Sequence, residues 1–205
     1  MLQYGKPCSE ACERNRAPIL SVLQRVFAAS GTALEIGSGT GQHAAYFARH
    51  LPHLIWQLTD VAMHLPGIRV WRHEAGLSNM LEPLALDVAD EIWPVARADY
   101  VFSANTAHIM SWPQVQAMFH GVGRLLADGS CFCLYGPFNY AGEYTSASNA
   151  QFDRHLKIRD PAMGIRDIDD LTPLAAAAGL VLIDDIAMPA NNRTLIWKKV
   201  LSLRV

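Results

Sequence analysis

The sequence predicts an α/β fold in which a mostly parallel sheet of seven strands ends in an antiparallel hairpin. Short apolar strands alternate with helical segments along most of the chain, which is typical of a parallel sheet with helices on both faces. The last two strands are separated only by PANN (189–192), a link so short that they must pair antiparallel. With 205 residues, 51% of them hydrophobic, the chain fits one domain over 1–205 with a substantial core.

The first half of the chain alternates between helix and strand. Apolar residues at helical spacing predict the first helix over 17–29, and Pro18 fits its first turn. An apolar run predicts a strand at 32–37, and the segment after its glycines predicts a helix at 41–50. Further strands are expected at 54–60, 83–88 and 98–105, and connecting helices at about 62–76 and 89–96.

The second half continues the alternation and then departs from it. A helix is expected at 112–126 and a strand at 130–136, followed by a long connection over 136–150. Asp167 is a suitable N-cap for a helix over 168–178, and Gly179 is suited to end it. The two final strands are expected at 180–188 and 193–203.

Charge and composition disfavour several classes of protein. The 17 basic and 19 acidic side chains give a formal charge of -2, and the longest basic cluster is Lys198–Lys199, so no nucleic-acid partner is expected. No apolar stretch reaches the roughly 18 residues that span a bilayer. The N-terminal residues have no apolar segment of signal-peptide type, so we expect a cytoplasmic protein without membrane contact.

The four cysteines are expected to be reduced in that compartment. Cys8 and Cys12 are four apart and Cys131 and Cys133 two apart, and neither spacing matches the C-x2-C pair of a zinc site. Cys131 and Cys133 lie in an apolar segment that predicts a buried strand, where cysteine is an ordinary small hydrophobic residue. We therefore expect no metal.

The segment LEIGSGTGQH (34–43) carries the clearest functional signal. Its glycines let the backbone approach a ligand closely. A phosphate-binding P-loop is excluded because no Lys follows the glycines at the required spacing. Gly37 and Gly39 fit the first two positions of a dinucleotide fingerprint, but its third glycine is replaced by Gln42, which disfavours an NAD-dependent oxidoreductase.

The pattern from Glu35 to Gly41, E-x-G-x-G-x-G, resembles motif I of class I S-adenosylmethionine-dependent methyltransferases. That resemblance implies a Rossmann-like three-layer sandwich and S-adenosylmethionine as cofactor. The glycines then lie against the methionyl and ribose parts of the cofactor. Asp60, 23 residues after Gly37, ends the second strand and is suited to accept both ribose hydroxyls. Asp87, at the end of the third strand, is suited to accept the adenine amino group.

Longer strings resemble one family, the methyltransferase-like "domain of unknown function 938" proteins of bacteria and animals. The resemblance covers nearly the whole chain and rests on ACERNRAPIL (11–20), LEIGSGTGQHAAYFA (34–48), LPHLIWQLTD (51–60), LALDV (84–88), AHIMSW (107–112), LYGPFNYAGEYTSASNAQFD (134–153), GIRDIDDL (164–171) and MPANN (188–192). The family often has Pro-Ser-Asp where this chain has Leu58-Thr59-Asp60, which leaves the acid in place. The family implies the class I fold and the cofactor, and it supplies no substrate.

Residues 1–30, the N-terminal segment and first helix, are expected to cover the cofactor site. Arg14 is suited to pair the cofactor carboxylate in a fork, and its alternative is a solvated position. Asn105 is expected to bond the methionyl end or the acceptor, with helix capping as its alternative. The full set of predicted cofactor contacts is Arg14, Asn15, Glu35, Gly37, Gly39, Gly41, His43, Asp60, Asp87, Val88 and Asn105.

The acceptor is expected beyond the C-terminal strand ends, where ligands of open α/β sheets bind. His108 is the candidate general base, although packing at a helix start is the alternative role for a histidine there. Tyr140 is the second candidate catalytic residue. Tyr135, Phe138 and Tyr144 are expected to line an aromatic acceptor pocket, or else to pack within their loop, and Asn191 is assigned to the same pocket.

These observations predict an S-adenosylmethionine-dependent methyltransferase acting on a small molecule. The alternative, from a different class, is a cofactor-binding module without catalysis that acts through a protein partner. The acceptor atom (O, N, S or C) and the oligomeric state are not predicted.

Overall fold

The computed structural model describes residues 6–200, and its centre is a seven-stranded sheet. The strands are β1 (Gly31–Ile36), β2 (Leu54–Asp60), β3 (Leu84–Ala85), β4 (Ala98–Ala104), β5 (Leu126–Gly136), β6 (Phe138–Asn139), β7 (Arg166–Asp167), β8 (Leu180–Met188) and β9 (Asn192–Lys199). The helices are α1 (Glu10–Val26), α2 (Gln42–His50), α3 (Leu65–Ala75), α4 (Trp112–Leu125), α5 (Ala147–Arg159) and α6 (Ile168–Ala177). Residues 1–5 and 201–203, which the predicted domain and last strand include, lie outside the described residues.

The sheet has the strand order β3-β2-β1-β4-β5-β9-β8. Strands β1 to β5 are parallel, and β9 pairs antiparallel with both β5 and β8. The predicted mostly parallel sheet with a terminal antiparallel hairpin is therefore confirmed. Because the chain moves outward from β1 to β3 and then returns to place β4 on the other side of β1, the sheet reverses its winding between β1 and β4. Such a reversal opens a crevice at the C-terminal strand ends.

Two apolar layers hold the helices to the sheet. On one face, α1 and α2 pack through Ile19, Leu23 and Phe47 against sheet residues that include Trp56 and Phe102. On the other face, α4 and α6 pack against the second cluster, whose largest buried members include Phe119, Phe132 and Trp197. Full burial of each such side chain contributes about 1.5–3 kcal/mol, so the three-layer arrangement is stabilised from both sides.

Helix α1 begins seven residues before the predicted start at 17. Ser9 is its N-cap, with a side chain that accepts from the Cys12 amide, and Glu10 and Glu13 suit the positive end of the helix dipole. Pro18 consequently lies inside the helix and not in its first turn. The first turns are mostly exposed, so their hydrophilic sequence gave no apolar periodicity.

Helix α5 corrects the expectation of a long irregular connection over 136–150. Its buried residues are Asn149, Asp153 and Leu156, which have helical spacing but are mostly polar. A search for apolar periodicity therefore misses this helix. The remaining corrections are smaller: β3 is two residues long, β5 begins at Leu126, and 89–96 forms turns without a helix.

Asp167 caps α6 by accepting from the Asp169 amide, as predicted, and Gly179 after that helix has a positive φ of 70°. All four cysteines are free thiols. Within residues 6–200, no helix has both the length and the apolarity that a bilayer span requires.

Candidate active site

A cavity of about 1080 Å³ opens at the C-terminal ends of β1, β2 and β4, at the crevice that the strand order creates. Small-molecule sites commonly occupy roughly 300–1,000 Å³, so this cavity has room for a cofactor and an acceptor together. The lining comes from the turns after β1, β2, β3 and β4, from the segment before α1, from α5 and from the turn between β8 and β9. Elements far apart in sequence thus converge on one volume.

The three glycines after β1 have positive φ values of 72°, 58° and 89° at Gly37, Gly39 and Gly41. A Cβ at Gly37 would lie 2.5 Å from the Thr106 methyl carbon, and one at Gly41 would lie 3.2 Å from the backbone of Ile68. Gly37 and Gly39 both line the cavity, but a Cβ at Gly39 would meet no described atom beyond its chain neighbours within 4 Å. The outer glycines permit packing, and Gly39 leaves the backbone open towards the cavity.

Asp60, the last residue of β2, connects this turn to the next strand. One carboxylate oxygen accepts from the Gly39 amide at 2.7 Å. The other accepts from the Val61 amide at 2.7 Å and contacts the His64 ring at 2.8 Å. The side chain is buried and lines the cavity, so its charge is fixed in position at the predicted ribose site.

Asp87, Val88 and Asn105 also line the cavity, as their predicted roles require. Asp87 follows the short strand β3 and accepts from the Ala89 amide at 3.0 Å. Asn105 has a φ of 59°, in the left-handed region that Asn tolerates better than most residues. This strained conformation turns the chain sharply after β4, and the Asn105 amide donates to the Tyr135 carbonyl.

Glu35 is not among the residues that line the cavity. One of its carboxylate oxygens accepts from the Ser38 hydroxyl at 3.0 Å and from the Trp56 indole N–H at 3.2 Å. Burial raises the pKa of this carboxyl to about 7, and the negative charge of Asp60 acts in the same direction. In this structure Glu35 supports the glycine turn from beneath.

His43 and Asn15 form a buried pair beside the cavity. The His43 Nε2 and Asn15 Oδ1 atoms are 2.6 Å apart, and His43 lines the cavity while Asn15 lies behind it. Burial, together with the charge of Arg16, lowers the pKa of His43 to about 4. The ring is therefore neutral at physiological pH and contributes no cation to the cavity.

Gln42 occupies the position of the third glycine of a dinucleotide loop, and its side chain has a structural role that glycine could not fill. Its side chain is 1% exposed and joins α2 to the segment before α1. Its oxygen accepts from the Ser9 amide and from the Thr40 hydroxyl, and its nitrogen donates to Glu13 at 2.9 Å. A glycine here would leave Ser9 and Glu13 without these partners, and Pro7, Ser9 and Cys12 would lose their support at the cavity wall.

We expect the Gln42→Ala substitution to destabilise the protein by about 2 kcal/mol, because the buried Gln42 side chain is lost together with its bonds to the half-buried Ser9 amide and to Glu13. Urea denaturation followed by circular dichroism measures the loss. The matched control is Gln151→Ala on the exposed face of α5, which should change the free energy of unfolding by less than about 0.5 kcal/mol. Equal stabilities of the two variants would contradict this role for Gln42.

His108 lies at the cavity wall, in the turn that follows β4, and is 6% exposed. Its ring packs edge-on against Phe152 at 5.1 Å between centroids. Burial lowers the pKa of His108 to about 4, and the nearby Arg166 guanidinium acts in the same direction. That guanidinium donates to the carbonyls of Ala107, Met110 and Ala162, so it holds the turn in place.

Two of the predicted site residues are corrected because their side chains are paired elsewhere. Arg14 lies on the exposed face of α1 and forms an ion pair with Glu10 at 3.2 Å. Tyr140 lies outside the cavity lining and donates to Asp185 at 2.7 Å, where Arg193 also binds. This bond and burial hold the pKa of Tyr140 well above its usual value, so its hydroxyl stays protonated.

The predicted aromatic acceptor pocket is also corrected. Phe138 is 1% exposed and belongs to the second apolar core, and Tyr135 is 2% exposed in the first. Tyr144 lies outside the lining and donates to Asp153 at 2.7 Å. Asn191 has a φ of 57° in the turn before β9 and bonds to Ser148, while its neighbours on both sides line the cavity.

The part of the cavity next to His108 is formed by residues to which the sequence assigned no role: Ile109, Met110, Gln114, Ser148, Asn149 and Phe152. Three of them lie on α5, the helix that lacks apolar periodicity. The string TSASNAQFD was part of the family resemblance, and Ser146 is a good N-cap, so capping was the available signal for this helix.

The Asp, Glu, Lys and Arg side chains of the cavity lining are all of one sign, negative. Asp60 and Asp87 are the acidic residues of the lining, and among the described residues no Lys or Arg contributes to it. A cavity of this kind favours a ligand with net positive charge. Nor do three His, Cys, Asp or Glu side chains within residues 6–200 come together as a metal site.

The fold is similar to that of several solved methyltransferases. An O-methyltransferase family protein from Burkholderia thailandensis matches with a TM-score of 0.82 and 19% identity over 94% of this chain and 58% of its own. An O-methyltransferase family 2 protein from Planctomyces limnophilus, in complex with apigenin, matches with a TM-score of 0.80 and 17% identity over 93% of this chain and 58% of its own.

A third match is NcsB1, an O-methyltransferase from neocarzinostatin biosynthesis in complex with S-adenosylmethionine and 2-hydroxy-5-methyl naphthoic acid. It has a TM-score of 0.77 and 16% identity over 93% of this chain and 55% of its own. The chain therefore spans little more than half the length of these proteins. At such identities the similarity establishes the Rossmann-like methyltransferase fold.

The family is established separately, by sequence. The model of one family matches residues 6–199, which is nearly the whole chain and includes the glycine turn, Asp60, Asp87 and α5. The chain belongs to the family described as protein of unknown function (DUF938).

Proposed function

We propose that this protein is an S-adenosylmethionine-dependent methyltransferase that acts on a small molecule. The observation that carries the proposal is the convergence of Gly39, Asp60, Asp87 and Asn105 on one cavity at the reversal of the sheet. Four separate turns supply these residues. The cavity volume of about 1080 Å³ leaves space for an acceptor next to the cofactor.

The residues present fit the cofactor in shape and charge. The open backbone at Gly39 is a cradle that any side chain would fill, and it suits the methionyl and ribose parts. Asp60 is placed to accept from the ribose hydroxyls, and Asp87 to accept from the adenine amino group beside Val88. S-adenosylmethionine carries a sulfonium and an ammonium against one carboxylate, and the lining offers carboxylates without a cation.

When bound, the cofactor supplies a methyl group on a sulfonium whose positive charge disappears as the methyl is transferred. Tighter binding of that charge before the reaction would not speed the reaction, because only interactions stronger in the transition state do so. The protein's contribution is therefore to align the acceptor and to exclude water. The wall formed by the buried Val88 and His108 and by Phe152 supports both effects.

His108 is placed to receive the acceptor's proton. Its ring nitrogens have no hydrogen-bond partner among the described residues, and its lowered pKa keeps the ring neutral and able to accept. The solved relatives that hold apigenin or a naphthoic acid support a small-molecule acceptor for this fold.

Isothermal titration with S-adenosylhomocysteine tests the cofactor half of the proposal, and absence of binding at millimolar concentration would refute it. The transfer half is tested by incubating the protein and S-adenosylmethionine carrying a labelled methyl group with a metabolite extract. Mass spectrometry then detects metabolites that gain the label with wild-type protein but not with Asp60→Ala. Cofactor binding without any labelled product would favour the non-catalytic module.

With an acceptor identified in this way, we expect His108→Gln to lower kcat about 100-fold and to leave the affinity for S-adenosylhomocysteine within about twofold. Because the pKa of His108 is about 4, wild-type activity should show no inflection near pH 6.5, the ordinary value for histidine. His120→Gln on the exposed face of α4 is the matched control. An unchanged kcat for His108→Gln would remove the residue from the mechanism.

A further inference from the structure

The lining of the cavity divides along the sheet. Residues that follow β1, β2 and β3 surround the glycine turn, whereas a second group comes from the turn after β4, from α4 and from α5. This second group is formed by His108, Ile109, Met110, Gln114, Asn149 and Phe152, and we call it the acceptor wall. Its chemistry limits what the acceptor is.

The acceptor wall contains no charged side chain. Arg166 lies directly behind it, but its guanidinium is committed to three backbone carbonyls. Lys157, one turn along α5 from Asp153, is paired with that buried carboxylate at 2.7 Å. An anionic acceptor would therefore lose its hydration and meet no cation, with Asp60 and Asp87 elsewhere in the same cavity.

The wall nevertheless has unused hydrogen-bonding atoms. The Asn149 amide nitrogen donates to the Thr145 hydroxyl and to the Asn191 carbonyl, whereas no described residue donates to its oxygen. The Gln114 oxygen accepts from the amide and hydroxyl of Ser111, which leaves its nitrogen as the available donor. The neutral, unpartnered ring of His108 adds one acceptor nitrogen and one N–H donor, so the wall offers both acceptors and donors, which suits a neutral hydroxyl.

The rest of the wall is apolar. Phe152 is 38% exposed although it lines a cavity, and Ile109 is 45% exposed. Met110 adds a flexible apolar side chain that adapts to irregular shapes. Aromatic and aliphatic side chains left open in a cavity favour a ligand with a flat apolar body.

We infer that the acceptor is an uncharged molecule with a flat apolar ring system and a hydroxyl group, and that acceptors bearing a carboxylate are excluded. This inference rests on the proposed function for the identity of the site, and it adds the class of substrate. Asn149 and Gln114 orient the hydroxyl, and Phe152 contacts the ring.

Two probes that share one ring system test the inference: 2-naphthol, which is neutral, and 2-naphthoate, which is an anion. Binding of each is titrated by NMR or calorimetry, first without and then with saturating S-adenosylhomocysteine. We expect 2-naphthol to bind at least about tenfold more tightly than 2-naphthoate in either condition. Phe152→Ala should weaken 2-naphthol binding by about tenfold.

The charge argument is tested by adding a cation. Ile109→Lys places an ammonium in the acceptor wall at a side chain that already reaches solvent, and it should bring 2-naphthoate affinity up to that of 2-naphthol. The control is Ile158→Lys, at an 82% exposed position of α5 outside the lining, which should leave the preference unchanged. If wild-type protein binds 2-naphthoate as well as 2-naphthol, or binds neither at millimolar concentration, the inference is wrong.

These outcomes are separate from the fate of the proposed function. Binding of S-adenosylhomocysteine without a preference for 2-naphthol overturns the substrate class alone. Failure to bind S-adenosylhomocysteine overturns the methyltransferase, while the probe preference measured without it still decides the chemistry of the wall.

Discussion

Replacing Asp60 with asparagine should lower the affinity for S-adenosylhomocysteine about 100-fold, which is the loss expected when hydrogen bonds to a charged acceptor are removed. The reason is twofold. The carboxylate faces the cavity, and it also accepts from the amides of Gly39 and Val61. Asparagine offers one acceptor oxygen, so its amide N–H groups oppose one of those donors and the glycine turn moves. Isothermal titration measures the change.

Asp87 and Asp90 supply a matched comparison within one turn. Asp87 lines the cavity, whereas Asp90 is exposed three residues later and does not. Asp87→Asn should weaken binding about tenfold through the adenine contact, and Asp90→Asn should leave it unchanged. Equal effects of the two substitutions would mean that cavity charge in general, and not a specific contact, governs the affinity.

Replacing Glu35 with glutamine should change the free energy of unfolding in a pH-dependent way. The stability of Glu35→Gln relative to wild type should be about 3 kcal/mol greater at alkaline pH than at acidic pH. The folded-state pKa of Glu35 is about 7, against an ordinary value of 4.5. The contribution of the protonated Glu35 carboxyl to the free energy of unfolding is therefore fully present below pH 4.5 and is lost as pH rises through 7. Glutamine does not ionise and keeps an oxygen that accepts from Ser38 and Trp56.

Urea denaturation of wild type and Glu35→Gln across a pH series measures this difference. Glu143→Gln, at an exposed position, is the control that should follow the wild-type curve at every pH. A gap between wild type and Glu35→Gln that stays constant with pH would show that burial does not shift the pKa of this carboxyl between the folded and unfolded states, and would contradict the prediction.

The part of the cavity around the glycine turn was predictable from sequence because its determinants are local. Glycines with positive φ follow the strand directly, and Asp60 ends the next strand, so spacing along the chain reports their position. Asp87 lines the cavity even though β3 is only two residues long, because the parallel order of strands brings their ends to one edge.

The part of the cavity around His108 and α5 was not predictable in the same way. Helix α5 turns polar residues inward, so the period of its apolar residues carries no signal. Tyr140 and Phe138 have side chains that suit a binding pocket, but their partners, Asp185 and the second core, come from distant parts of the chain. The face of α1 that Arg14 occupies depends on where that helix begins. The first turns of α1 are hydrophilic, so their sequence gave no apolar pattern from which to predict its start.

The polar attachment of α5 has a consequence for which substitutions the cavity wall tolerates. Asp153 is 1% exposed and binds Tyr144, Lys157 and the Ile165 amide, so one buried carboxylate anchors the helix from behind. Ser148, Asn149 and Phe152, which contact the cavity, are neighbours of that anchor but not part of it. Substitutions of Ser148 and Phe152 therefore change the surface of the cavity without removing any bond of that carboxylate. The shape of this wall and the anchoring of α5 through Asp153 are set by different residues.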